Sequence, residues 1–124
     1  MRFAMMKSAT AQTSEPEGWP PGSHVREQTW LVQVTVSRVT GVALRDLFAQ
    51  TRRPPRIALT RQIAMYLSHV VFEMSVTEVA LGFGRDPSTV AYAFRRVEEL
   101  RDDPELDRTL EWLEAMLRRT GRGT

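Results

Sequence analysis

The stretch SVTEVALGFGRDPSTVAYAFRRVEEL, Ser75 to Leu100, constrains the fold more than any other part of the chain. Ser75 followed three residues later by Glu78 has the form of a capping box. The serine hydroxyl can accept from the third backbone N–H, and the glutamate can reach back to the serine's own N–H. Val76, Val79, Ala80 and Phe83 give the short helix that follows an apolar face, and Gly82 and Gly84 end it. Asp86 is a favourable N-cap, and Pro87 fits the first helical position, where no N–H is required. Val90, Phe94, Val97 and Leu100 then form the inward stripe of a helix running to about Arg101. Two helices joined by a turn of about three residues have the layout of a helix-turn-helix.

The flanking segments supply the helices such a pair needs to pack against. Residues 58–72, ALTRQIAMYLSHVVF, carry Ile63, Met65, Tyr66, Leu67, Val70 and Val71 around more than half the girth of a helix, as expected at the centre of a small bundle. Before it, ALRDLFAQ reads as a short amphipathic helix with Leu44, Leu47 and Phe48 on one face. The proline pair Pro54–Pro55 between them predicts an exposed, semi-rigid connection. From Glu27 to Val39 the apolar residues Trp30, Leu31, Val34 and Val39 fall near helical spacing, while the β-branched run VQVTVSRVTGV keeps a strand open; Gly41 ends the segment. Asp103–Pro104 repeats the cap-and-proline start and launches a last helix with Leu106, Leu110, Leu113 and Leu117 inward. The expected architecture is all-α, a bundle of about six helices spanning residues 25–120. Residues 1–24, rich in Ser, Thr, Pro, Gly and Glu, read as a flexible tail in which Trp19 is incidental or a docking residue, and 121–124 as a disordered end.

Composition narrows the chemistry. The chain has no cysteine, which excludes disulfides and thiolate metal sites, and His24 and His69 lack the spacing of a zinc site. No apolar run approaches a membrane span and no signal peptide is evident, so the expected location is the cytoplasm, at the nucleoid. Net charge is only +2 among 124 residues, but it is unevenly spread. Residues 51–61 carry Arg52, Arg53, Arg56 and Arg61 and no acid, whereas residues 102–117 carry six acids against Arg108.

On the face of the second helix away from its apolar stripe stand Ser88, Thr89, Tyr92, Arg95 and Arg96. Hydroxyls at a helix tip can bond bases or phosphates, the helix N-terminus itself favours a phosphate, and the arginines can neutralise phosphates or pair with a guanine edge. The plainer reading is a solvated helix face. A nucleotide loop is excluded, because a P-loop needs G-x-x-x-x-G-K-[ST] and the chain has no lysine after Lys7. His69 and Glu73 are the best-spaced acid–base pair, and a helix-surface pair is their simpler meaning; no enzyme activity and no cofactor is expected.

In order along the chain, RQIAMYL (Arg61–Leu67), the S-x-x-E-V start (Ser75–Val79), FGRD-x-STV (Phe83–Val90) and AFRRVEELR (Ala93–Arg101) resemble the C-terminal DNA-binding domain of the bacterial chromosomal replication initiator DnaA. The resemblance runs from about Val34 to Leu117. It implies double-stranded DNA as partner, with Asp86, Pro87, Ser88 and Thr89 reading bases in the major groove; Arg85 beside them, and Tyr92, Arg95 and Arg96 along the helix face, complete the candidate DNA contacts. It places Arg53 in the adjacent minor groove, with Arg52 beside it and Arg56 in the same basic segment. Arg61 and Gln62 would meet the DNA backbone, as would Val76 and Thr77 through their backbone N–H groups. Two positions depart from the family pattern: one glycine, Gly84, precedes Arg85 where two are usual, and Pro87 stands where a base-reading histidine is usual. Loss of one base contact costs roughly 1–3 kcal/mol of discrimination. The resemblance thus implies a DNA-binding role in control of replication initiation or transcription without ATPase activity. The alternative is a replication-associated adaptor that uses the same fold for contact with replication proteins.

Overall fold

A computed structural model of the protein describes residues 23–49 and 54–122, and the regular structure among them is entirely helical. In chain order the helices are α1 (Ser23–Thr40), α2 (Leu44–Phe48), α3 (Pro55–Phe72), α4 (Val76–Phe83), α5 (Pro87–Leu100) and α6 (Pro104–Arg122). The all-α, six-helix expectation holds among the described residues. The tail reading of residues 1–22 lies outside them, but Ser23 and His24 already belong to α1, and α6 runs past residue 120 to Arg122.

α3 is the axis of the bundle. From Thr60 to Val70 only Gln62 escapes full burial, and α1, α5 and α6 all pack against this helix. It begins three residues earlier than its apolar pattern suggested. Pro54 is the N-cap and Pro55 opens the first turn, where a missing N–H costs nothing, so half of the proline pair is a helix start rather than a connection. One continuous core joins Val25, Val32 and Val36 of α1 and Val79 and Phe83 of α4 to Val90, Phe94 and Val97 of α5 and Leu110, Leu113 and Leu117 of α6.

α1 resolves the open choice between strand and helix, but on a different face from the one the aromatic and aliphatic residues suggested. Val25, Thr29, Val32, Gln33 and Val36 are buried, whereas Trp30 is 55% and Val39 38% exposed. The inward face carries two polar residues that satisfy themselves along the helix. Thr29 Oγ1 donates to the Val25 carbonyl at 2.9 Å and Gln33 Nε2 to the Thr29 carbonyl at 3.1 Å. With those groups bonded, their burial carries little desolvation cost, and packing against α3 and α4 overrides the strand preference of the valines. Gly41, at φ 80°, closes α1 in a conformation that a side chain would oppose. In α2, Leu47 is buried and Phe48 is largely exposed, so only part of the expected apolar face is used.

Candidate nucleic-acid interface

The capping box at the start of α4 is complete. Glu78 N–H donates to Ser75 Oγ at 3.1 Å, and Ser75 N–H donates to Glu78 Oε1 at 3.0 Å. α4 ends at Gly84, which adopts the left-handed conformation at φ 64°. Arg85 N–H donates to the Ala80 carbonyl at 3.0 Å and Gly84 N–H to the Leu81 carbonyl at 3.4 Å. That pair of bonds is a Schellman motif, and it needs only one left-handed residue. The single glycine before Arg85 therefore closes the turn by itself, and Gly84, Arg85 and Asp86 span the whole connection to α5.

α5 is sharply two-sided. Val90, Ala93, Phe94 and Val97 are buried, and Ser88, Thr89, Tyr92, Arg95 and Arg96 are exposed along the opposite side. The structure thus brings those five predicted residues onto one face, with Pro87 in the first turn as its backbone chemistry requires. Glu99 continues the exposed side at the far end, so the basic and hydroxyl character is concentrated in roughly the first three turns.

The tip of α5 differs from the expectation in one respect. Asp86 Oδ2 accepts from Ser88 N–H at 2.9 Å and also from the Ser88 hydroxyl. These bonds hold the Asp86 carboxyl below the usual carboxylate range, the side-chain bond from Ser88 contributing most. A carboxylate already sits where a phosphate would bind the helix N-terminus, and like charge opposes a second anion there. What the tip presents is an acceptor. The Asp86 carboxylate, and Ser88 Oγ with its proton committed to Asp86, suit an exocyclic amino group such as that of cytosine or adenine.

The remaining predicted residues divide. Arg56 and Thr77 are exposed and Val76 and Gln62 half-buried. Val76 and Thr77 open α4, and their N–H groups precede any acceptor within that helix. Arg61 is placed in the interior, 9% exposed. Its Nε and Nη2 donate to the carbonyls of Leu47 at 3.0 Å and Asp46 at 2.8 Å, where α2 ends. Arg85 is half-buried, and its Nη2 donates to the Ala49 carbonyl. Arg61 and Arg85 are therefore engaged inside the protein rather than displayed with Arg95 and Arg96. Arg52 and Arg53 lie outside the described residues. His69 is no partner of the exposed Glu73. It is buried, stacks on Phe94 with ring centroids 4.4 Å apart, and its Nδ1 lies 2.6 Å from the Met74 carbonyl, to which only a protonated Nδ1 can bond. Among the described residues no cluster of His, Asp and Glu could hold a metal ion, and no helix is long and apolar enough to cross a membrane.

The family model described as the bacterial DnaA protein helix-turn-helix matches residues 30–97, the span that contains both motif helices as far as Val97. The chain belongs to the bacterial DnaA helix-turn-helix family. It is 38% identical over 89 residues to the chromosomal replication initiator protein DnaA of Bordetella pertussis (strain Tohama I), covering 70% of this chain and 19% of that protein. The DnaA protein of Caldanaerobacter subterraneus subsp. tengcongensis is 33% identical, over 71% of this chain and 20% of its own length. The chain thus spans about a fifth of the length of these DnaA relatives. A crystal structure of a DNA replication initiation factor superposes with a TM-score of 0.70 at 29% identity, over 77% of this chain and 30% of that one. The DnaA fold is shared, and Pro87 stands at the tip of its second motif helix.

Proposed function

We propose that the chain binds double-stranded DNA through its helix-turn-helix, with the exposed side of α5 in the major groove, and acts in control of replication initiation or of transcription. The observation that carries this reading is the segregation of Ser88, Thr89, Tyr92, Arg95 and Arg96 from the buried stripe of α5, within a DnaA helix-turn-helix. Arg95 and Arg96 supply charge toward phosphates, Ser88, Thr89 and Asp86 face base edges, and the first-turn amides of Val76 and Thr77 approach the backbone. Arg56 adds charge beside the segment that carries Arg52 and Arg53. The role needs no cofactor and no ATPase, and it suits a cytoplasmic protein at the nucleoid.

The test is binding of the purified chain to duplexes with and without an initiator-type site across a salt series. Binding should weaken steeply with salt, and Arg95→Ala should lower the slope of log K against log salt by about 1. Ser88→Ala or Thr89→Ala should narrow the difference between the two duplexes with little change in that slope. No affinity at low salt would overturn the reading. A second reading, an adaptor for replication proteins, draws on Trp112, 51% exposed on the acidic α6. A replication protein retained by the chain after Arg52, Arg53 and Arg95 are replaced together would favour it.

A further inference from the structure

We propose that Arg85 is a positioning residue: it ties the turn of the helix-turn-helix to the carboxyl end of α2, and so fixes the point from which the chain runs on to Arg52 and Arg53. The inference rests on the DNA-binding reading above for its functional meaning, and on the free protein's geometry for its physical basis.

Arg85 is held at both ends. Its backbone N–H is locked to the Ala80 carbonyl by the Schellman motif, which sets the direction of its side chain. Its guanidinium donates to the carbonyl of Ala49, the residue that ends α2 and stands four positions before Arg53 in the sequence. The Nε of Arg85 is buried with no hydrogen-bond partner among the described residues, and burial holds the guanidinium below its ordinary pKa. A group displayed for phosphates stands in solvent, as Arg95 and Arg96 do.

The same end of α2 is gripped a second time. The last carbonyls of a helix have no partner within it and accept readily from cationic side chains. Arg61 of α3 takes those of Asp46 and Leu47, and Arg85 takes that of Ala49. Two arginines from different elements thus lock one short helix to the central helix and to the DNA-reading turn. A planar guanidinium can reach a carbonyl while its stem stays packed, and an ammonium, compact and strongly hydrated, does this poorly. The consequence for recognition is mechanical: the end of α2, from which the chain leads to Arg52 and Arg53, and the turn before α5 share one reference.

Double-mutant cycles on one initiator-type duplex test this. Arg85→Ala and Arg85→Lys should both weaken binding by about five- to tenfold. Arg53→Ala should cost much less in the Arg85→Ala background than in the wild type, while Thr89→Ala should cost the same in both. Affinity restored by Arg85→Lys, or an undiminished effect of Arg53→Ala, would mean that Arg85 meets phosphate directly and would overturn the proposal. Amide hydrogen exchange in the DNA-free protein separates this from failure of the DNA reading. Leu47 and Ala49, whose N–H groups donate to Ala43 and Asp46, should exchange at least about tenfold faster in Arg85→Lys while α3 is unchanged. Unchanged exchange at those amides sinks the positioning role even if the wild-type chain binds no duplex. Should Arg85→Ala fail to fold, Arg85→Lys, which keeps the aliphatic stem, carries the same comparisons.

Discussion

Single residues set how closely α1 and α4 can approach. A Cβ built on Gly82 would lie 2.5 Å from Thr29 Cγ2 and 2.7 Å from its Oγ1. Thr29 cannot swing aside freely, because its β-branched side chain is stiff and its hydroxyl is bonded to the Val25 carbonyl. Gly82 therefore stands inside a helix, despite the usual cost of glycine there, because only a hydrogen fits against α1. Gly82→Ala should destabilise the protein by about 1–3 kcal/mol, the range for overpacking a close contact. Adding Thr29→Ala should recover part of that loss, since it removes the two atoms of nearest approach. Urea unfolding of the single and double variants measures both. The sequence marks Gly82 only as one of two glycines near a helix end; which of them serves the turn and which serves packing depends on α1, some fifty residues earlier.

At the scale of elements, what was legible in the sequence was what is local. Helix starts depend on a few neighbouring residues, so Ser75 with Glu78 and Asp86 with Pro87 announced α4 and α5 correctly. The inward stripe of α5 was equally readable, because Tyr92 is the one large apolar residue set against Val90, Phe94 and Val97 on the far side of that helix. α1 was not, because its buried face holds Thr29 and Gln33 while Trp30 points to solvent, and that choice is made by α3 and α4. The inward engagement of Arg61 and Arg85 was hidden for the same reason. The carbonyls of Asp46, Leu47 and Ala49 that they bond are brought to them from a distant element. The capping box offers a direct check of local control. Ser75→Ala removes the acceptor for Glu78 N–H and should cost about 1 kcal/mol, seen as a lowered urea midpoint with an unchanged slope. Because Ser75 fixes the α4 start, the same change should also weaken DNA binding more than the salt slope accounts for.

At the scale of the whole molecule, one polar network holds α3, α5 and α6 together. Tyr66 Oη donates to Glu98 Oε2 at 2.9 Å and accepts from Arg101 Nη1 at 3.0 Å. Arg101 Nη1 also donates to Glu114 Oε2 at 2.6 Å, and its Nε to Asp107 Oδ1 at 2.5 Å. Burial pushes the Tyr66 hydroxyl up to about 12; Arg101 works against that shift and Glu98 with it. A hydroxyl whose pKa is higher in the folded state favours folding in its neutral form. Its contribution is therefore complete below the unfolded value of about 10 and is lost as pH rises through about 12. The chain has two tyrosines, so Tyr92→Phe leaves Tyr66 as the sole chromophore for an alkaline titration of tyrosinate absorbance. The midpoint should stand near 12 in the folded protein. A midpoint at about 10, the value of a free tyrosine, would mean that the hydroxyl is open to water and that the network does not close. Arg101→Met isolates the charge itself. Arg101 and Glu114 have side chains only 12% and 11% exposed, so removing the cation strands a buried carboxylate. The loss should be about 3 kcal/mol, the low end for breaking a buried pair, because Arg118 at 3.7 Å partly compensates Glu114. The deficit should shrink when Glu114→Gln is added, since the stranded charge is then gone, and that recovery distinguishes an electrostatic link between the helices from simple loss of side-chain packing.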